Sequence, residues 1–159
     1  MGLVKALAHS PSNLVFAGAR DPSKADALNA LAASHENLKV LKLVSGDAEN
    51  NKAAVAAIQT EAGRLDTVIA NAVRRLRSGL RSLLTSLRTQ GIAKHFGPLV
   101  SHPASEFRDH FEVNTIGTVV LFQATQPLLA KSPTGAGHFA VISTVGASIS
   151  NYMPLQAAA

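Results

Sequence analysis

The chain of 159 residues contains no cysteine, which excludes a disulfide framework, thiolate metal sites and a thiol nucleophile, and fits a reducing compartment such as the cytosol. It also lacks any run near the ~18 consecutive apolar residues of a membrane span. Its opening, MGLVKALAHSPSNLVFAG, is too short and broken an apolar patch for a secretory signal. Acid is missing from one place only. Between Val73 and Gln90 stand Arg74, Arg75, Arg77, Arg81 and Arg88 with no Asp or Glu, whereas the other 141 residues hold ten bases and ten acids. The net charge of +5 therefore belongs to that segment and does not mark the domain as a nucleic-acid binder.

With 47% apolar residues, the chain has material for one domain with a buried core. Leu3, Val4, Leu7 and Ala8 fall at helical spacing, and NLVFAGAR is an apolar run of strand length. Asp21-Pro22 supplies an N-cap and a first-turn proline for a helix with Ala25, Leu28, Leu31 and Ala32 on one face. LKVLKLV (38–44) reads as a strand, and Asp47 as the cap of a helix that turns Val55, Ile58 and Ala62 inward. LDTVIANA (65–72) and HFAVIST (138–144) are further strands, separated by a helical region from about Ala104 to Leu129. SPTGAG (132–137) forms the turn before the last strand, and a loop runs from about Gly91 to Pro103. Alternating helices and strands, apolar enough to be covered on both faces, predict an α/β fold with a doubly wound parallel sheet.

GARDP at the end of one strand, VIANA at the end of another with GIA beyond the basic run, then FEVNTIGTVVLFQA and FAVISTVGASIS follow in that order. This combination resembles the short-chain dehydrogenase/reductase family, and within it the NADP-dependent ketoreductases and carbonyl reductases. The likeness covers nearly all of the chain except residues 73–90. It implies an incomplete Rossmann-type sheet over residues 1–159, lacking its first strand and the TGxxxGxG turn that places the cofactor pyrophosphate on a helix N-terminus. Gly2 is the one glycine of that region retained. In the full family sheet the absent strand lies between the second and fourth, so two central edges are expected to be open.

The resemblance also assigns residues. Arg20, 18 positions after Gly2, stands where the fold meets the adenosine ribose, and a guanidinium there suits a 2′-phosphate and hence NADP. The alternative is an exposed arginine paired with Asp21. Val44 takes the place of an Asp that often meets the adenine. Asn71, Ala72 and Gly91 correspond to the NAG-type turn beside the cofactor, with Asn71 read chiefly as a buried amide tying strands together. Asn114 matches the helix asparagine that holds a water in the proton relay, and Thr144, with Ser143 as fallback, matches the hydroxyl that orients the substrate carbonyl. Either hydroxyl could instead satisfy backbone at a strand end.

Reduction of a ketone by hydride transfer needs a proton, which the family takes from a Tyr-x-x-x-Lys pair. The only tyrosine, Tyr152, has no lysine after it, and the pair is expected just beyond Ala159. The chain is thus expected to be a fragment of an NADP-dependent oxidoreductase acting on a small carbonyl substrate, not competent unaided. Its six histidines show no convincing metal spacing.

Leu76, Leu80, Leu83, Leu84 and Leu87 give the basic run an apolar stripe. As an amphipathic helix it could lie on an anionic membrane or bind an acidic partner, which is the alternative, non-catalytic reading of the chain. It has no aromatics and no recognisable nucleic-acid module. Removing residues 73–90 joins Ala72 to Gly91 and restores VIANAGIA, and Val-Arg can be encoded GTAAGA, like the start of an intron. The run therefore reads better as an interruption of the turn than as a module.

Overall fold

The computed structural model describes residues 2–71, 100 and 103–143. The basic run, Tyr152, and three assigned residues, Ala72, Gly91 and Thr144, lie outside the described residues, and with them the alternative reading built on the run.

Helix α1 (Gly2–Ala8) leads into strand β1 (Val15–Ala19), and helix α2 (Asp26–Ala33) into β2 (Leu38–Lys42). The two strands pair in parallel, Val15 opposite Leu38 through Ala19 opposite Lys42. Ala8, Ala17 and Leu38 are buried together, with Val4, Val15, Leu28, Leu31 and Ala32 packed around them. These are the apolar positions of the helical and alternating patterns, so α1 and α2 cover one face of the pair. Asn37 holds the α1–β1 connection in shape: its Nδ2 lies 3.1, 3.0 and 2.8 Å from the carbonyls of Ala8, Ser10 and Asn13.

Helix α3 (Ala48–Glu61) carries the chain from β2 to β3 (Thr67–Ala70). After the undescribed segment come α4 (Ala104–Phe111), a π turn (Glu112–Ile116), α5 (Gly117–Leu129) and β4 (His138–Val141). β4 pairs in parallel with β3, Thr67 opposite His138 through Ala70 opposite Val141. Val68, Ala70, Leu128 and Leu129 are buried here, and the Phe122 ring meets Phe139 edge-on at 5.1 Å. Ser132, buried in the turn before β4, donates its hydroxyl to Asp66 Oδ1 at 2.7 Å, locking the entry to β3 against that turn. Gly135 adopts φ 72° there, a left-handed conformation that suits glycine.

The expected incomplete doubly wound sheet is present as two separate parallel pairs, β1–β2 and β3–β4. No described strand joins them. Among the described residues the interior is correspondingly thin: the nine buried apolar residues include four alanines, and the largest fully buried side chain is the amide of Asn51. No helix among the described residues is long and apolar enough to cross a membrane.

Candidate functional site

A strand–helix–strand crossover returns the chain to its starting end before the next strand begins, so β2 and β3, joined by α3, run in the same direction. With β1 parallel to β2 and β4 parallel to β3, the four carboxyl ends share one edge. Ligands of open α/β sheets bind at that edge. Arg20 follows β1 directly, Asn71 follows β3, and Ser143 stands two residues past β4. Each of the three thus stands just past the carboxyl end of its own strand.

Asp21 is engaged by residues other than Arg20. Its backbone is extended (φ −134°, ψ 95°), and its carboxylate accepts from the Ser23 hydroxyl at 2.6 Å and the Ser23 amide at 3.2 Å, with Lys24 Nζ at 3.1 Å. The hydroxyl of Ser23 and then Lys24 hold the Asp21 carboxyl below its ordinary range. Asp21 is a cap, as its sequence context indicates, but of a 3-10 turn (Pro22–Lys24) and not of α2, which begins only at Asp26. Arg20 is exposed and forms no ion pair among the described residues, so its guanidinium is available to an anion.

The loop between β2 and α3 is built by side chains. Asp47 Oδ1 accepts the Asn50 amide at 2.9 Å, the cap expected for α3. Asn50 Oδ1 in turn accepts the Val44 amide at 2.7 Å, and Asn51 Nδ2 reaches the carbonyls of Val44 (2.8 Å) and Asp47 (2.6 Å). Gly46 turns the chain with φ 80°, beside Glu112 of the π turn. Val44 thus has both backbone groups engaged by asparagines.

This loop and the π turn shape each other. The Gly117 amide donates to Glu112 O, five residues back, instead of to Val113 O. The Val113 carbonyl accepts the Ser45 hydroxyl at 3.3 Å. A side chain inserted into the ladder is a physical cause of such a widened turn, and π turns occur often at functional sites. Asn114 lies inside it, and its own carbonyl accepts the Thr118 hydroxyl at 3.0 Å. Gly117 is required by contact: a Cβ there would overlap Ser45 Oγ.

The remaining assigned residues fall as follows. Gly2 opens α1, and a Cβ on it would meet nothing within 4 Å, so this position is roomy, not tight. Asn71 is exposed, which corrects the reading of its side chain as a buried tie between strands. It stands one residue past the last β3–β4 pair. Ser45, Asn50, Asn51 and Gly117 were missed as site builders in the sequence. The Asp47-x-x-Asn50 cap spacing was the one local signal for this loop.

A family model described as short chain dehydrogenase matches residues 1–154. The chain belongs to the short-chain dehydrogenase/reductase family. It is 35% identical over 150 residues to norsolorinic acid ketoreductase of Emericella nidulans, covering 91% of this chain and 50% of that protein. To a short chain dehydrogenase of Penicillium aethiopicum it is 33% identical, covering 98% and 57%. Among solved structures, NADPH-bound carbonyl reductase from chicken fatty liver superposes with a TM-score of 0.76 at 27% identity, covering 94% of this chain and 56% of that one. The carbonyl reductase Sniffer of D. melanogaster shares the fold with a TM-score of 0.78 at 24% identity, covering 96% and 60%. The chain thus spans about half the length of the relatives it matches.

Proposed function

We infer that these residues form the cofactor-side part of an NADP(H)-dependent carbonyl reductase, and that the 159 residues alone do not complete the reaction. The observation that carries the cofactor choice is Arg20: exposed, at the carboxyl end of β1, and left unpaired because Asp21 is committed to Ser23 and Lys24. Its planar fork binds a ribose 2′-phosphate with two parallel hydrogen bonds, which a cofactor without that phosphate does not offer. The open surface at Gly2 and the exposed Asn71 leave room for the rest of the dinucleotide, and these residues fit the group. NADPH, when bound, supplies hydride to a substrate carbonyl carbon. The names of the ketoreductase and carbonyl reductase relatives support that substrate class.

The chain's own residues contribute binding and orientation. A hydroxyl past β4, from Thr144 or from Ser143, donates to the carbonyl oxygen as negative charge builds there. Asn114, in the widened turn, orders solvent for proton delivery. No residue of the sequence provides the proton itself, since Tyr152 has no lysine four positions on.

Equilibrium binding of NADPH and NADH to the purified chain, followed by nicotinamide fluorescence, tests the reading. NADPH should bind more tightly, and Arg20→Ala should weaken NADPH by about tenfold or more, the scale of a lost charge-assisted pair, while leaving NADH unchanged. Equal affinity for the two cofactors, or an Arg20→Ala variant that weakens both alike, would overturn it. Steady consumption of NADPH by the chain with a ketone present would overturn the claim of incompleteness.

A further inference from the structure

The run from Val113 to Gly117 is a weak stretch of helix. Val113, Thr115 and Ile116 are β-branched, and Asn114 and Gly117 also rank low as helix formers, so one contact from outside the helix can choose between a regular and a widened turn. In a regular α-helix the Gly117 amide would bond the Val113 carbonyl, four residues back. Here it bonds the Glu112 carbonyl, five back, and the Val113 carbonyl accepts the Ser45 hydroxyl at 3.3 Å.

Ser45 reaches that carbonyl from a fixed place. On its amino side, the Val44 amide donates to Asn50 Oδ1 at 2.7 Å and the Val44 carbonyl accepts from the buried Asn51 at 2.8 Å. On its carboxyl side, Gly46 takes φ 80° and Asp47 caps α3. Gly117 keeps the facing space open, since any Cβ there would overlap Ser45 Oγ. Thr118, a hydroxyl within the helix itself, donates to the Asn114 carbonyl, so the hydroxyl at Val113 comes from 68 positions away.

We propose that Ser45 is the positioning residue for Asn114. By engaging the Val113 carbonyl it keeps the turn widened, and Asn114, next in the chain and exposed inside that turn, stands where the widened backbone places it. Without the hydroxyl, the Gly117 amide returns to the Val113 carbonyl, and the Asn114 backbone and side chain rotate with it about the helix axis. The β2–α3 loop and the π turn are then one unit, in which the contacts that fix the start of α3 also fix Asn114. The part Asn114 plays in ordering solvent rests on the reductase reading above, whereas the choice between the two turns does not.

NMR scalar couplings across hydrogen bonds identify the acceptor of each amide and test the proposal on the full chain without cofactor. The Gly117 nitrogen should couple to the Glu112 carbonyl carbon. Ser45→Ala should lose that coupling and gain one to the Val113 carbonyl carbon, while Ser45→Thr, which keeps a hydroxyl, should retain the original. Gly117→Ala, which displaces the hydroxyl from the opposite side, should show the same switch at residue 117. Amide signals of Ala17 and Val68, both in strand ladders, should stay in place in every variant and report that the two strand pairs are intact. Cross-relaxation between water and the Asn114 side-chain amide should be present in the parent and in Ser45→Thr, and lost in Ser45→Ala. A Ser45→Ala or Gly117→Ala chain that keeps the Glu112 coupling would overturn the proposal. So would a Ser45→Thr chain that loses it, or water contact at Asn114 that is absent from the parent or survives the switch of acceptor. Equal affinity for NADPH and NADH would count against the cofactor reading alone, since the Gly117 couplings are read without either.

Discussion

Replacing Gly117 with alanine sets two effects of opposite sign against each other. Helix propensity alone favours the change by about 1 kcal/mol. The new Cβ, however, would overlap Ser45 Oγ and lie 3.3 Å from the Gly46 nitrogen, so Ser45 must turn away from Val113 O. Losing that hydrogen bond costs about 1 kcal/mol, and crowding a packed contact about 1–3 kcal/mol more. The net expectation is a loss of about 1–3 kcal/mol, read as a lower urea midpoint at unchanged slope. Ser45→Ala alone should lose about 1 kcal/mol. With the hydroxyl gone, the remaining crowding at Gly117→Ala is largely offset by propensity, and the double variant should match Ser45→Ala. The two single losses should then exceed the double by about 1–3 kcal/mol. A Gly117→Ala variant more stable than the parent, or losses that add within about 0.5 kcal/mol, would refute the proposed contact between the π turn and the β2–α3 loop.

Asp47→Ala removes the acceptor of the Asn50 amide and should destabilise by about 1 kcal/mol in urea unfolding, whereas Asp47→Ser should recover most of the loss. Asn51→Leu removes a fully buried donor that serves two carbonyls, and a loss of about 2 kcal/mol is expected; a neutral variant would show that the amide does not hold the loop. Asp21 has a folded-state pKa below its unfolded value, so its contribution is complete above the unfolded value and disappears as pH falls through the folded one. An NMR titration of the Ser23 amide should therefore show a midpoint below the ordinary aspartate range, lost in Asp21→Asn, and a midpoint at or above that range would contradict the cap.

The order and type of the elements were legible because each strand is a short apolar run and each helix carries a capping residue or a one-faced apolar pattern. LKVLKLV and HFAVIST began at the first residues of β2 and β4 and outran them by two and three residues, and Ala104 to Leu129 bounded the α4–α5 region. The start of α2 was misplaced for a local reason: Ala25, at φ −96° and ψ 47°, interrupts the chain between the capped turn and the helix. The π turn could not be read locally, because it depends on Ser45, 68 residues away, engaging a carbonyl that a regular helix would have used itself. Nothing local in the sequence marks Asn51 within α3 either. Its burial is set by the β2 end folding over the helix start. Asn71 was expected inside from its match to the family's NAG-type turn, and the structure leaves it exposed one residue past β3.

The division of the sheet into two pairs also sets an order of assembly. Val15 meets Leu38 after 23 positions of chain, but Thr67 meets His138 only after 71. The longer closure is entropically worse by about 1 kcal/mol for a flexible chain, and it joins a pair with no shared ladder to the first. The α1-to-β2 unit, with its own apolar cluster and the Asn37 clasp, can form before the other pair has found its register. During synthesis it also precedes the other pair, and is complete while β3 and β4 are still being made. The register of β1–β2 is therefore set before that of β3–β4.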